Sequence, residues 1–183
     1  RLLAGFRTTA GIDTKGVRRY GGWEDSLLGG HCVGHYLTAL AQAVKVTGDK
    51  ELKEKSQTLI AGLEECQKKL GTGFLFGAKV EDKEDVEKQF DILEGKKKGE
   101  TWVPWYNMHK VLAGLVDTYK YTGNETALLV AEKLGDWIYE RVSKWDLKTN
   151  QKVLETEYGG MNDCLYELYS YSCLLYTSDA ADE

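Results

Sequence analysis

The tripeptides Thr47-Gly48-Asp49 and Thr122-Gly123-Asn124 recur at a spacing of 75 residues, with Leu40 and Leu115 in matching positions ahead of them. Each tripeptide separates two stretches of helical periodicity. Glycine suits the left-handed position that closes a helix, and Asp or Asn caps the next one. A chain punctuated in this way folds as helical hairpins in series. The first hairpin is expected over His31–Val46 and Lys50–Leu70. Val33, Leu37, Leu40, Ala41 and Val44 form the apolar stripe of its first helix, and Leu52, Leu59, Ile60 and Leu63 that of its second. The second hairpin is expected over Tyr106–Tyr121 and Glu125–Trp145, with Trp137 and Trp145 late in its second helix as packing residues. A fifth helix begins near Gly160, with Met161, Leu165 and Leu168 at helical spacing.

Composition supports the same class. The 183 residues include 20 glycines and one proline, Pro104, which lies just ahead of a helix start. Net charge is −5, so the chain has no basic footprint for nucleic acid. No apolar run approaches the roughly 18 residues of a membrane helix. Cys32, Cys66 and Cys164 follow no zinc-finger or CxxC spacing and read as small buried hydrophobes.

Between the hairpins, residues 71–101 begin with a turn or short strand and continue into a mixture of Lys, Glu and Asp. This part reads as a solvated loop or short helix, or as a loop at the rim of a site. Phe74, Phe76, Phe90 and Ile92 would pin it down. Stacked hairpins close into an α/α toroid or continue as an open solenoid. The long insertion and the absence of a 34-residue unit favour the toroid.

In such a toroid the inner helices are parallel and their N-terminal ends share one face, where free N–H groups and the positive dipole end collect. The chemically distinctive residues cluster at those starts. Tyr20, Trp23, Glu24, Asp25, His31 and His35 stand at the first. Trp102, Trp105, Tyr106, Asn107 and His109 stand at the second, and Glu157, Tyr158, Asn162 and Asp163 at the third. His31 and His35 are four residues apart and share a helix face, and a hydrogen-bonding role at the helix start suits them better than metal binding. Glu24 reads as a capping acid and Glu157 as a solvated charge, with acid/base chemistry the alternative for both. Aromatic rings beside amides, imidazoles and carboxylates suit sugars, which have apolar faces and hydroxyl rims.

Three strings add a resemblance. GGHCVGHYLTALAQA (Gly29–Ala43), TWVPWYNMHKVLAGLVDTYKYTGN (Thr101–Asn124) and EYGGMND (Glu157–Asp163) resemble the catalytic barrel of the β-L-arabinofuranosidases, glycoside hydrolase families 127 and 146. QFDILEG (Gln89–Gly95) fits the interhelical loop of that barrel. The resemblance implies an all-α fold, an incomplete (α/α)6 barrel of which residues 1–172 supply about the first five helices. It implies a carbohydrate substrate, release of β-L-arabinofuranose with retention from plant glycans or arabinosylated glycoprotein, and partners in the downstream half of the barrel and β-sandwich domains. It also implies zinc in the full-length enzyme, where a zinc-bound cysteine thiolate is the nucleophile and a glutamate the acid/base. No motif here matches those residues, so no catalytic residue and no metal ligand is assigned within this chain. The expected contribution is substrate binding, by His109 first and then His35, Trp105, Tyr158 and Asn162. Another α/α-barrel glycosidase or a polysaccharide lyase, with Glu24 and Glu157 as acid/base pair, is the alternative enzyme. A non-enzymatic solenoid that binds proteins is the alternative outside enzymes.

One string points elsewhere. CLLYTSDAADE (Cys173–Glu183) resembles the conceptual translation of a transposase-type sequencing adapter, and residues 173–183 are expected to be non-native.

Overall fold

A computed structural model describes residues 1–173. The adapter reading falls on 173–183, all but the first of which lie outside the described residues. The described chain is helical, with no strand among the described residues: α1 (Ala4–Thr9), α2 (His31–Thr47), α3 (Lys50–Leu70), α4 (Lys88–Leu93), α5 (Pro104–Thr122), α6 (Glu125–Val142), α7 (Leu147–Thr156) and α8 (Met161–Ser172), with a 3-10 turn at Gly22–Asp25. The five long helices expected from periodicity are α2, α3, α5, α6 and α8. The short α4 falls where a loop or short helix is expected, whereas α1 and α7 have no counterpart in the sequence reading, since six to ten residues carry too few turns for a clear stripe. Trp145 lies beyond the end of α6 rather than within it.

The hairpin punctuation works as the sequence implies. Gly48 and Gly123 close α2 and α5 at φ +67° each. Asp49 then accepts hydrogen bonds from the Glu51 and Leu52 N–H groups, and Asn124 accepts one from Ala127. These side chains satisfy donors that the first turn of a helix leaves free.

The helices form two layers. α2, α5 and α8 pack side by side as the inner layer, and α3 and α6 back them as the outer layer. Contacts along α2 and α5 advance together. The His31 and Tyr106 rings are 6.3 Å apart, Gly34 faces the Lys110 carbonyl, and Thr38 Oγ1 donates to Asp117 Oδ2 at 2.7 Å. The two helices are therefore parallel. α5 and α8 behave alike, with His109 against Gly160, Tyr119 against Tyr171 and Lys120 paired with Glu167. Parallel inner helices joined through antiparallel outer ones make the arrangement of an incomplete α/α barrel.

Residues 71–101 contain a short helix, α4, and are exposed at 81–84 and 95–100, while their apolar residues pin the segment down. Phe74, Leu75, Phe76, Ala78 and Phe90 are buried in the core with Trp105 and Trp137. Phe90 lies edge-on to Trp105 and Trp137, with centroids 4.9 and 5.3 Å away. The Arg141 guanidinium of α6 sits over the Phe90 and Trp137 rings and pairs with Glu87, Asp91 and Glu94 of the loop. The charged residues thus tie the segment to the outer layer while its aromatics fill the core. The expected turn or short strand is irregular backbone, which Arg19 holds by donating to the Gly77 and Ala78 carbonyls.

α2 and α5 approach most closely at glycine. A Cβ on Gly34 would lie 1.9 Å from the Lys110 oxygen, and one on Gly114 would lie 2.5 Å from the Gly34 oxygen. Either methyl forces the two backbones apart, with an overpacking cost of about 1–3 kcal/mol or more. At Gly48 the left-handed backbone is the only obstacle, since nothing lies within 4 Å of an added Cβ. In the full-length protein, Gly34→Ala is expected to lower the thermal midpoint more than Gly48→Ala. An equal or smaller effect at Gly34 contradicts this packing.

Candidate functional site

The three inner helices begin without a side-chain cap from their own N-cap residues. Gly30 precedes α2, Val103 precedes α5 and Gly160 precedes α8. For the first two, a carboxylate from elsewhere serves instead. Glu24 accepts from Gly30 N–H at 2.8 Å through Oε2 and from Cys32 N–H at 3.2 Å through Oε1. Glu157, more than fifty residues past the α5 start, accepts from Trp105 N–H at 3.1 Å and Tyr106 N–H at 2.7 Å. A negative charge here also meets the positive end of the helix dipole. Glu157 is thus a half-buried cap and not the solvated charge that its sequence context implies. Burial pushes its carboxyl up to about 7, against the pull of the two N–H donors.

Between these carboxylates runs a line of rings. His35 and His31 lie edge to face with centroids 6.1 Å apart. His31 is 6.3 Å from Tyr106, and Tyr106 is 6.2 Å from His109. His31 Nδ1 lies 2.8 Å from the Leu28 carbonyl and 2.9 Å from Glu24 Oε1. Both partners only accept, so Nδ1 carries the proton and Nε2 faces the Cys32 thiol at 3.7 Å. His109 is held against the start of α8. A Cβ at Gly160 would lie 2.1 Å from its ring, so the imidazole fills the space glycine leaves. Burial, the Lys110 ammonium and His35 lower His109 to about 4, with Asp163 opposing them. Burial, Lys110 and His31 lower His35 as well. At neutral pH these two imidazoles are uncharged, each able to donate at one nitrogen and accept at the other.

The sequence-derived candidates therefore divide. His109 and His35 join one cluster, and Tyr158 and Asn162 are exposed beside the α8 start. Trp105 is a correction. It is 6% exposed, and its ring packs between Phe90, Trp137 and Trp145, so it offers no face to a sugar. Only its backbone N–H reaches the site. Tyr106, 38% exposed, presents its ring there instead. The sequence placed Tyr106 at the helix start, but which of two adjacent aromatics turns outward depends on the α5 register against the core.

Glu24, His31 and Cys32 offer ligand atoms within 4.8 Å of one another. This donor set does not fit the zinc-bound thiolate that the resemblance implies. Both Glu24 oxygens are committed to backbone N–H groups, and burial with Glu24 pushes the Cys32 thiol up to about 11. Cys66 and Cys164 are buried in the core. No helix among the described residues is long and apolar enough to cross a membrane.

An inner layer of parallel helices, with neutral imidazoles, an open tyrosine and two carboxylates at one end, has the form of a carbohydrate-active α/α barrel. The chain matches the family described as Beta-L-arabinofuranosidase, GH127 catalytic domain, over residues 1–178, and belongs to that family. A comparison with curated proteins finds no match.

The two shifted groups have opposite effects on stability. Glu157 lies above its ordinary 4.5, so the folded state gains protons first and stability falls as pH rises from about 4.5 to about 7. His109 lies below its ordinary 6.5, so its contribution rises with pH between about 4 and 6.5. Wild type is expected to lose stability relative to Glu157→Gln across the first window, measured by denaturant unfolding at stepped pH. A difference that stays flat contradicts the half-buried cap. An NMR titration is expected to place the His109 midpoint near 4.

Proposed function

We propose that this chain is the N-terminal part of a retaining glycoside hydrolase that releases β-L-arabinofuranose, and that it supplies one wall of the substrate pocket. The observation that carries the reading is the ring line His35–His31–Tyr106–His109 at the shared start of α2 and α5. The neutral imidazoles of His35 and His109 suit sugar hydroxyls, which donate and accept at the same oxygen. Holding His109 against Gly160 fixes its direction before the sugar arrives, so little ordering is left to the moment of binding. Lys110, over the Tyr106 ring at 5.0 Å, steadies that ring beside it. Tyr158 and Asn162, both exposed, extend the wall toward the α8 start.

The nucleophile and the acid/base group belong, in this reading, to barrel residues beyond those described, as does any zinc and its thiolate chemistry. The same later residues complete the barrel, with β-sandwich domains after it. Glu24 and Glu157 do not suit the alternative acid/base pair, because each spends both oxygens on backbone N–H donors. They position the helices that carry the imidazoles.

The full-length enzyme is expected to release L-arabinose from β-L-arabinofuranosides with the anomer retained, as followed by NMR. His109→Ala is expected to lower kcat/KM by about a hundredfold, the scale of a lost positioning contact, with the thermal midpoint little changed. Full-length protein without activity on any β-L-arabinofuranoside overturns the reading. Activity insensitive to His109→Ala removes His109 from the pocket wall.

A further inference from the structure

His31 stands apart from the other two imidazoles of the ring line. Its side chain is 12% exposed, and each ring nitrogen already has a partner within the protein. Nδ1 donates toward the Leu28 carbonyl at 2.8 Å and Glu24 Oε1 at 2.9 Å. Nε2 lies 3.7 Å from Cys32 Sγ. With the proton on Nδ1, the Nε2 lone pair accepts the Cys32 S–H. Glu24 is within reach of the same thiol, but its two oxygens already take the Gly30 and Cys32 N–H groups and Nδ1. Burial and Glu24 push the thiol up to about 11, so it keeps its proton at neutral pH. The His31 ring is thus held at both nitrogens and has no hydrogen bond left to offer a ligand.

Its remaining neighbours are the open rings of the line. His35, one turn further along α2, is exposed and meets the His31 ring at 88° with centroids 6.1 Å apart. Tyr106, at the start of α5, is 38% exposed and lies 6.3 Å from the same ring. His31 therefore touches an open ring on each of the two inner helices. Cys32 also differs from the other two cysteines that the sequence reads as small buried hydrophobes. Cys66 and Cys164 are buried in the core, whereas Cys32 is half-buried with its sulfur turned to an imidazole.

We propose that His31 is a positioning residue, locked by Glu24 at one nitrogen and by Cys32 at the other, which aligns the open His35 and Tyr106 rings without itself touching the sugar. The inference rests on the arabinofuranosidase reading above and divides the ring line into a held support and an open contact surface. A sugar-binding ring keeps its direction only when the groups behind it are themselves fixed by packing and hydrogen bonds. His31 is that group for His35 and Tyr106. Cys32 isolates this role from the capping of α2, because the cap uses the Cys32 N–H and not its side chain.

The test uses the full-length enzyme as wild type, Cys32→Ala, Cys32→Ser and Glu24→Gln. Long-range proton–nitrogen NMR of histidine-labelled protein reads which ring nitrogen carries the proton. In wild type the His31 proton is expected on Nδ1. Cys32→Ala is expected to move the His31 Nε2 shift and to lower kcat/KM on a β-L-arabinofuranoside about tenfold, while Cys32→Ser, which keeps a donor, stays within about twofold of wild type in rate. Glu24→Gln is expected to move the Nδ1 shift and to lower kcat/KM at least as far as Cys32→Ala. A wild-type proton on Nε2, a Cys32→Ala rate equal to wild type, or a Cys32→Ser rate as low as Cys32→Ala overturns the positioning role while the activity stands. A wild type inactive on every β-L-arabinofuranoside overturns the arabinofuranosidase reading and the positioning role with it, even where NMR finds the proton on Nδ1.

Discussion

The structure depends on the bare contact between α2 and α5. Gly34 and Gly114 let the two backbones meet with no side chain between them. That contact fixes the axial register, and the Thr38–Asp117 hydrogen bond holds it further along. Successive residues on a helix turn by about 100°, so a slip of one position would swing His109 away from Tyr106 and Gly160. The line of rings at the helix starts is therefore a product of packing several residues deeper. Steric permission at two glycines thus helps to place the His109 imidazole against Gly160.

The outer helices were legible from the sequence because their end signals are local. Asp49 and Asn124 cap the helices that follow them directly, and Gly48 and Gly123 stop the helices before them. The inner helices carry no such local cap at their starts. Their caps, Glu24 and Glu157, are recognisable as polar residues near helix starts, but only the fold shows that Glu157 serves α5 and not α8. The same limit explains Trp105 and Tyr106. Adjacent residues on a helix point about 100° apart, and the choice of which one enters the core belongs to Phe90 and Trp137. His35 and His109 are placed at helix starts by sequence position alone, which needs no tertiary information. The line that joins them through His31 and Tyr106 did need it.

The segment between the hairpins shows how charge and burial divide within one stretch. Its alternation of Lys, Glu and Asp has the composition of a solvated loop. Three of those acids converge on Arg141, whose guanidinium also covers two aromatic rings. A guanidinium does this well because it is planar and presents donors around its rim. The segment thereby becomes a strut from the outer layer to the α5 entrance, through Gln89 and Thr101.

The two carboxylate caps differ in when the chain can supply them. Glu24 is synthesised before the helix it completes. Glu157 follows the start of its helix by more than fifty residues, after the whole of α6 and α7. On a ribosome adding about 5–20 residues per second, α5 spends seconds with its first N–H groups uncapped. The first inner helix matures alone, whereas the second is finished by the loop that introduces the third. Such forward borrowing makes assembly of the inner ring directional at α5, whose entrance is sealed by the arrival of its successor.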